Sequence, residues 1–361
     1  MKIVNANIVT YNIPLIKTFK NSLASKDTQK SLVLILSTDD GFKGISSIEP
    51  DTPNYAEETW YGIQETVTRE FFPILLSEDP EDIEGIILEM DKKIYGHFMS
   101  KSLVETALFD LYAKKRKTQV YKTIGGSLAK TIPLVGWVGI SGLDKTVSET
   151  KNFLDEGFEC IKYKISSKVE DTTKFLSSVR REFGYNFEIR LDANQSLSRI
   201  QAIKLMDQIG KYEISLLEQP INRDDIEGMS KIRRHSSIPI MADESAFSVS
   251  ATKFLILADA CDIVKIKVMR SGGIKAAMKI IKLSEANGIK CVVGNGFSTS
   301  LGTSIEANFY LANSHIEKYA EFVGPLKMGE ENVKTKIRIE NGKLIPREGF
   351  GFGYDYNDLK I

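Results

Sequence analysis

The chain has 361 residues, is 42% apolar and 27% charged, and carries 48 Lys+Arg against 48 Asp+Glu. That balance gives no support for a polyanion-binding surface, and no run approaches the ~18–20 apolar residues a membrane-spanning helix needs. Cys160, Cys261 and Cys291 are odd in number, far apart and set among β-branched residues, which fits reduced core thiols in a cytoplasmic protein rather than a disulfide or zinc framework.

The N-terminus, MKIVNANIVTYNIPL, alternates apolar and polar residues and reads as a strand over Lys2–Ile13, without the apolar core of a secretory signal. A polar loop, Lys17–Lys30, follows. Next, SLVLILSTDDGFKGISSIEP gives two strands joined at Asp39-Asp40-Gly41, a hairpin turn signal. From Thr52 to Thr123 the pattern turns helical, and Leu103, Ala107, Leu108, Leu111 and Tyr112 share one face at helical spacing. Gly125-Gly126 ends this α+β block, which defines a first domain over 1–125.

The rhythm then changes. Apolar β-rich runs recur roughly every 25 residues, with amphipathic segments between them. The runs are 132–138, 159–165, 187–194, 213–220, 238–245, 262–268, 289–295 and 317–323. Such alternation predicts a parallel (β/α) barrel over 126–325. A doubly wound open sheet is the other architecture with this alternation, but no Gly-rich phosphate loop follows the first run. In the tail, 326–361, the stretch KTKIRIENGKLI is expected to pair with the N-terminal sheet.

Charged residues should avoid buried strands, yet here they gather at successive C-terminal strand ends. Lys162 and Lys164 close the second run, Asp192 the third, Glu218 the fourth, Asp243 and Glu244 the fifth, and Lys267 the sixth. In a parallel barrel these ends open on one face, where barrel active sites lie. Convergent carboxylates repel one another and call for a cation. An oxygen-only set of Asp192, Glu218 and Asp243, in a chain with three histidines, favours Mg²⁺ over zinc. Lys162 and Lys164 are two apart and project to one side of their strand. Crowded ammonium groups beside a dication lower one another's pKa, so one of them can serve as a base. Lys265 shares the parity of Lys267, but Lys267 sits nearer the strand end and is the preferred partner across the mouth.

These residues resemble the enolase superfamily, and within it the muconate-lactonizing-enzyme subgroup. The resemblance is carried by K-x-K at Lys162–Lys164, D-x-N at Asp192–Asn194, E-Q-P at Glu218–Pro220, A-D-E-S at Ala242–Ser245, and K-x-x-x-x-G-G at Lys267–Gly273. AL-x-DL at Ala107–Leu111 and G-P-L at Gly324–Leu326 complete the set, in order along nearly the whole chain. The resemblance implies a modified (β/α)₇β barrel under an α+β capping domain that the C-terminal tail completes. It further implies Mg²⁺ (or Mn²⁺) on Asp192, Glu218 and Asp243, and Lys164 and Lys267 as acid/base groups on the two faces of the substrate. Lys162 would tune Lys164 and help bind carboxylate.

A histidine base is not expected, because His97, His235 and His315 lie outside the strand-end set. Trp137, Asn194, Asn295, Ser298 and Glu321 are expected to contact substrate. Where dipeptide epimerases of the subgroup carry D-x-D before G-P-L, this chain has Glu321-Phe322-Val323, closer to the E-x-F of muconate cycloisomerases. Ala24 replaces the arginine of Ala-Glu epimerases, which argues against that particular dipeptide.

The expected function is a Mg²⁺-dependent isomerase that removes the proton next to a carboxylate through an enolate, as a racemase or epimerase of an amino-acid derivative or dipeptide. A cycloisomerase or acid dehydratase using one lysine is the alternative, and a non-catalytic binding barrel a remote one. The expected partner is a small-molecule carboxylate, with neither nucleic acid nor membrane, and by analogy the chain forms a homo-oligomer.

Overall fold

The computed structural model describes residues 1–20, 25–50, 57–126 and 129–360. Ala24 and most of the loop just after residue 50 fall outside that set.

Three antiparallel strands, β1 (Ile3–Lys20), β2 (Ser25–Thr38) and β3 (Lys43–Ile48), form the N-terminal sheet in the order β1-β2-β3. The Asp39-Asp40-Gly41 turn behaves as read: Thr38 N donates to Phe42 O at 3.1 Å, and Gly41 takes φ +87°. The expected loop over Lys17–Lys30 is a correction. Strand pairing resumes at Phe19↔Lys26 and Lys20↔Ser25, after an irregularity between Pro14 and Phe19. Residues 25, 27 and 28 are exposed. Backbone pairing there proceeds without an apolar face, so the sequence shows no alternation.

The helix Phe98–Lys115 lies between this sheet and the barrel, and it is buried nearly all round rather than along one stripe. Its buried polar side chains are accordingly paired. Glu105 accepts from the backbone N–H groups of Ile274 and Lys275, and Asp110 accepts from Ile45 N at 2.8 Å and Phe352 N at 2.9 Å.

A short strand, β4 (Ile132–Pro133), precedes the barrel. Its strands are β5 (Val135–Val138), β6 (Cys160–Lys164), β7 (Glu188–Asp192), β8 (Ile214–Glu218), β9 (Ile240–Ala242), β10 (Ile263–Ile266) and β11 (Lys290–Val293). Among the described residues these seven run parallel, in sequential order from β5 to β11. Helices pack outside them, so each strand buries its outward apolar residues against a helix layer.

The eighth expected strand, 317–323, does not form as a regular element. Instead it closes the ring through single contacts. Glu317 N and Glu321 N donate to Cys291 O (2.8 Å) and Val293 O (3.0 Å) on one side, while Ala320 exchanges bonds with Pro133 and Val135 at 2.9 Å on the other. A glycine at 294 permits the approach, since a Cβ there would stand 2.6 Å from that of Glu321. The architecture is thus a modified TIM barrel with a sheet-and-helix cap.

The tail also departs from expectation. Strands β12 (Arg338–Glu340) and β13 (Lys343–Ile345) form a hairpin that pairs with β4, not with the N-terminal sheet. The tail reaches the cap elsewhere, at the Leu15↔Met328 and Gln119↔Gly351 bridges and at Asp110.

Candidate active site

Strand register sets the site. Lys164 pairs laterally with Asp192, and Asp192 with Glu218, so three ionisable residues end three adjacent strands at one level. Asp243 follows β9 directly, and Lys267 follows β10. The three acids and Lys162 are buried, and Lys164 and Lys267 are each 15% exposed.

Their contacts form one network. Lys164 Nζ donates to Asp192 Oδ2 (2.5 Å) and Asn194 Oδ1 (2.7 Å), and Lys267 Nζ to Asp243 Oδ2 (2.9 Å). Lys162 Nζ spans Glu218 Oε2 at 2.7 Å and Asp192 Oδ2 at 3.4 Å, and Lys265 Nζ spans Glu218 Oε1 at 2.8 Å and Asp243 Oδ2 at 3.7 Å.

Burial alone would raise the Asp192 and Asp243 carboxyls, but the neighbouring lysines outweigh it, with Arg270 adding to the effect at Asp243, and both lie below the ordinary range. For Glu218 burial and the Asp192 charge win, pushing it up to about 8. Burial likewise lowers Lys267, whereas at Lys162 and Lys265 the charges of Glu218 and Glu321 outweigh burial and hold the ammonium groups above the lysine range.

Two lysines are thereby distinguished from two others. All four line one cleft of about 740 Å³, but Lys162 and Lys265 are locked between carboxylates, while Lys164 and Lys267 each keep one acidic partner. They stand on β6 and just beyond β10, half the ring apart.

Asp192, Glu218 and Asp243 offer only oxygen, as a hard cation prefers. Glu244 Oε2 is buried with no hydrogen-bond partner, and burial beside Asp192 makes the Glu218 carboxylate one that further positive charge would stabilise. Among the described residues, however, no three acids, histidines or cysteines already surround a common point. Their oxygens face lysine ammonium groups instead. The donor chemistry fits, and occupancy requires those carboxylates to turn from lysine to metal.

The remaining expected residues divide. Trp137, Asn194 and Asn295 line the cleft. Asn194 also joins Lys164 to Glu244, donating to Glu244 Oε1 at 3.1 Å. Glu321 lines it too, and there its carboxylate is engaged by Lys162, Lys265 and Arg190. Ser298 is not brought to the cleft. It faces a separate small cavity with Glu49 and Glu306. The histidines lie elsewhere: His97 beside Glu58, His235 on Asp207 and His315 on Ile289 O.

The sequence reading missed Arg270, which donates to both Asp243 O and Oδ1 at 2.6 Å, and Lys327, which borders the cleft. Arg270 sits inside the K-x-x-x-x-G-G span, and its spacing from Lys267 places it one turn on. Lys327 directly follows G-P-L, and nothing in its own neighbourhood marks it.

Residues 3–125 match the model of the mandelate racemase / muconate lactonizing enzyme N-terminal domain, and residues 145–360 the enolase C-terminal domain-like model. The chain belongs to the muconate-lactonizing-enzyme subgroup of the enolase superfamily, and it is an isomerase. It is 30% identical to N-succinyl-L-Arg/Lys racemase of Bacillus cereus, over 100% of this chain and 97% of that protein. It is 29% identical to muconate cycloisomerase 1 of Pseudomonas putida, over 98% and 96% of the two chains. The structure of a dipeptide epimerase from Enterococcus faecalis, complexed with Mg and the dipeptide L-Leu-L-Tyr, superposes with a TM-score of 0.92 at 27% identity, covering 98% of this chain and 99% of that one. Among the described residues no helix is long and apolar enough to cross a membrane.

Proposed function

We propose that the protein racemises or epimerises an N-acylated amino acid by moving the proton on the carbon next to its carboxylate. The observation that carries this reading is the pair Lys164 and Lys267, which face one cleft from opposite sides of the ring with a separate carboxylate behind each. A base on each face is what inversion at carbon needs: one lysine takes the proton and the other returns it from the opposite side.

In this reading Asp192, Glu218 and Asp243 hold Mg²⁺, with Mn²⁺ as a substitute. The ion would supply positive charge to the substrate carboxylate as negative charge develops. Lys162 stays protonated between Glu218 and Glu321 and adds a fixed charge nearby. Asn194 orients Lys164, and Asp243 together with Arg270 orients Lys267. Trp137 and Phe297 give the cleft an apolar wall. An N-acyl substrate is favoured over a dipeptide with a free amine, because Glu321 is already committed to three cations. A cytoplasmic setting is part of this reading, supported by three free buried cysteines.

The test is exchange in D₂O with Mg²⁺, followed by proton NMR and optical rotation, for N-acyl amino acids of either hand. Deuterium should enter at the α-carbon from both enantiomers as the two interconvert. Turnover of unsaturated diacids with no α-exchange of any amino-acid derivative would replace this reading with cycloisomerisation.

A further inference from the structure

The charges at the floor of the cleft are matched among themselves. Lys162, Lys164, Lys265 and Lys267 each contact at least one of Asp192, Glu218, Asp243 and Glu321. Lys327 stands outside that network. It enters on the chain segment just after the irregular eighth element, where the cap meets the barrel, and its half-buried side chain reaches into the same cleft.

Its ammonium is held by aromatic faces. Nζ lies 4.5 Å from the ring centre of Phe297, 4.6 Å from that of Trp137 and 5.6 Å from that of Phe19. One hydrogen bond ties it to protein, to Gly296 O at 2.9 Å. Among the described residues no carboxylate pairs with it. An ammonium has three donors, so up to two remain for a ligand.

Aromatic faces stabilise a cation but do not neutralise it. Burial, with the charges of Lys164 and Lys162 adding to it, lowers the Lys327 ammonium well below the lysine range, and a ligand anion would favour its charged form. An arriving anion would supply the carboxylate partner that Lys327 lacks, and its own desolvation is offset by charge-assisted hydrogen bonds.

We propose that the substrate is a dianion, and that its second carboxylate, remote from the reacting carbon, is received by Lys327 inside the Phe19–Trp137–Phe297 cage. The inference rests on the N-acyl amino-acid reading above and narrows it. The remote carboxylate is carried either at the end of the acyl group or on the amino-acid side chain. The first carboxylate is directed to the strand-end charges, so the two ends of the molecule are held apart and the α-carbon is fixed between Lys164 and Lys267.

The experiment uses the Mg²⁺-loaded full chain and two pairs of compounds differing only in the remote charge. N-succinyl-alanine is set against N-butanoyl-alanine for the acyl arm, and N-acetylglutamate against N-acetylglutamine for the side-chain arm. Each compound is followed by α-proton exchange for kcat/KM, and separately by calorimetric binding. A charged hydrogen bond of ordinary strength predicts about a 10- to 100-fold preference for the dianion in one pair. In Lys327→Met that ratio should fall towards one. Lys327→Arg should restore part of it, and Lys327→Gln, which can still reach Gly296 O, should not.

Ratios near one in both pairs for the unaltered protein would overturn the proposal, as would a preference that survives in Lys327→Met. A dianion that binds through Lys327 without α-exchange keeps the anion site and removes the racemase reading. Exchange of the monoanionic compounds alone keeps the reading and removes the site.

Discussion

Lys265 Nζ lies 2.6 Å from Glu321 Oε2, the same oxygen that Lys162 engages from across the barrel interior. Two strands on opposite sides of the ring are thus joined through an acid on its least regular element. Arg190 approaches the other oxygen at 3.4 Å, and burial, which alone would raise the Glu321 carboxyl, is overwhelmed by these cations. Removing one member of such a buried cluster strands the others. Glu321→Ala should therefore destabilise the fold by about 3–5 kcal/mol, seen as a lower urea midpoint with unchanged slope. A loss under 1 kcal/mol would mean that water reaches Lys162 and Lys265 freely.

Lys164→Ala and Lys267→Ala should each lower racemisation by about 10²–10⁴-fold. The asymmetry of what survives is more informative. Each variant should still exchange the α-proton of one enantiomer through its remaining lysine, and the surviving enantiomer should differ between the two. If both variants spare the same hand, the two lysines do not serve opposite faces.

Divalent metal should stabilise as well as activate. Treatment with EDTA should abolish exchange, and Mg²⁺ should restore it. At 100 times its dissociation constant, a ligand specific to the folded state adds about 2.7 kcal/mol, readable as a rise in Tm. Asp192→Asn and Glu218→Gln should blunt that rise, and an undiminished response in both would place the ion elsewhere.

Glu49 supplies a pH dependence remote from the site. It is buried at the join of cap and barrel, accepting from Ser31 (2.9 Å), Ser47 (3.0 Å) and Thr299 (2.8 Å), with Oε2 unpartnered. Burial pushes its carboxyl from 4.5 up to about 7. The folded chain therefore holds this proton more tightly than the unfolded chain does. Its contribution is fully present below pH 4.5 and is lost as pH rises through about 7, a change of about 3 kcal/mol at most. Glu49→Gln should remove one proton's worth of slope from a plot of unfolding free energy against pH over that window. Parallel plots for the two proteins would show that Glu49 ionises normally in the fold.

The parts of this design legible in sequence are those in which one residue's position decides its role. The placement of Asp192, Glu218 and Asp243 at strand ends was readable because a charge ending an apolar run is unusual wherever strands are buried. The hairpin at Asp39–Gly41 was readable because its turn chemistry is local. Lys17–Lys30 misled, since backbone ladders form there over exposed polar side chains. The run 317–323 had strand composition, yet its pairing partners are too few for a regular strand. That Lys162, Lys265 and Arg190, on three other strands, converge on Glu321 could not be read from the sequence around it. Lys327 was invisible for the same reason, because its aromatic cage comes from positions 19, 137 and 297. No short window of sequence contains such a site.

The route of the final forty residues bears on how this protein can be divided. The chain leaves the ring, lends a hairpin to β4 beneath it, and then returns to bond Asp110 in the cap through Phe352. Expressing the first 125 residues by themselves would leave one Asp110 oxygen without that donor, and stopping after residue 325 would uncover the edge of β4. Shuffling caps between relatives would therefore succeed only when the tail travels with the cap, a constraint on both the protein engineer and on recombination.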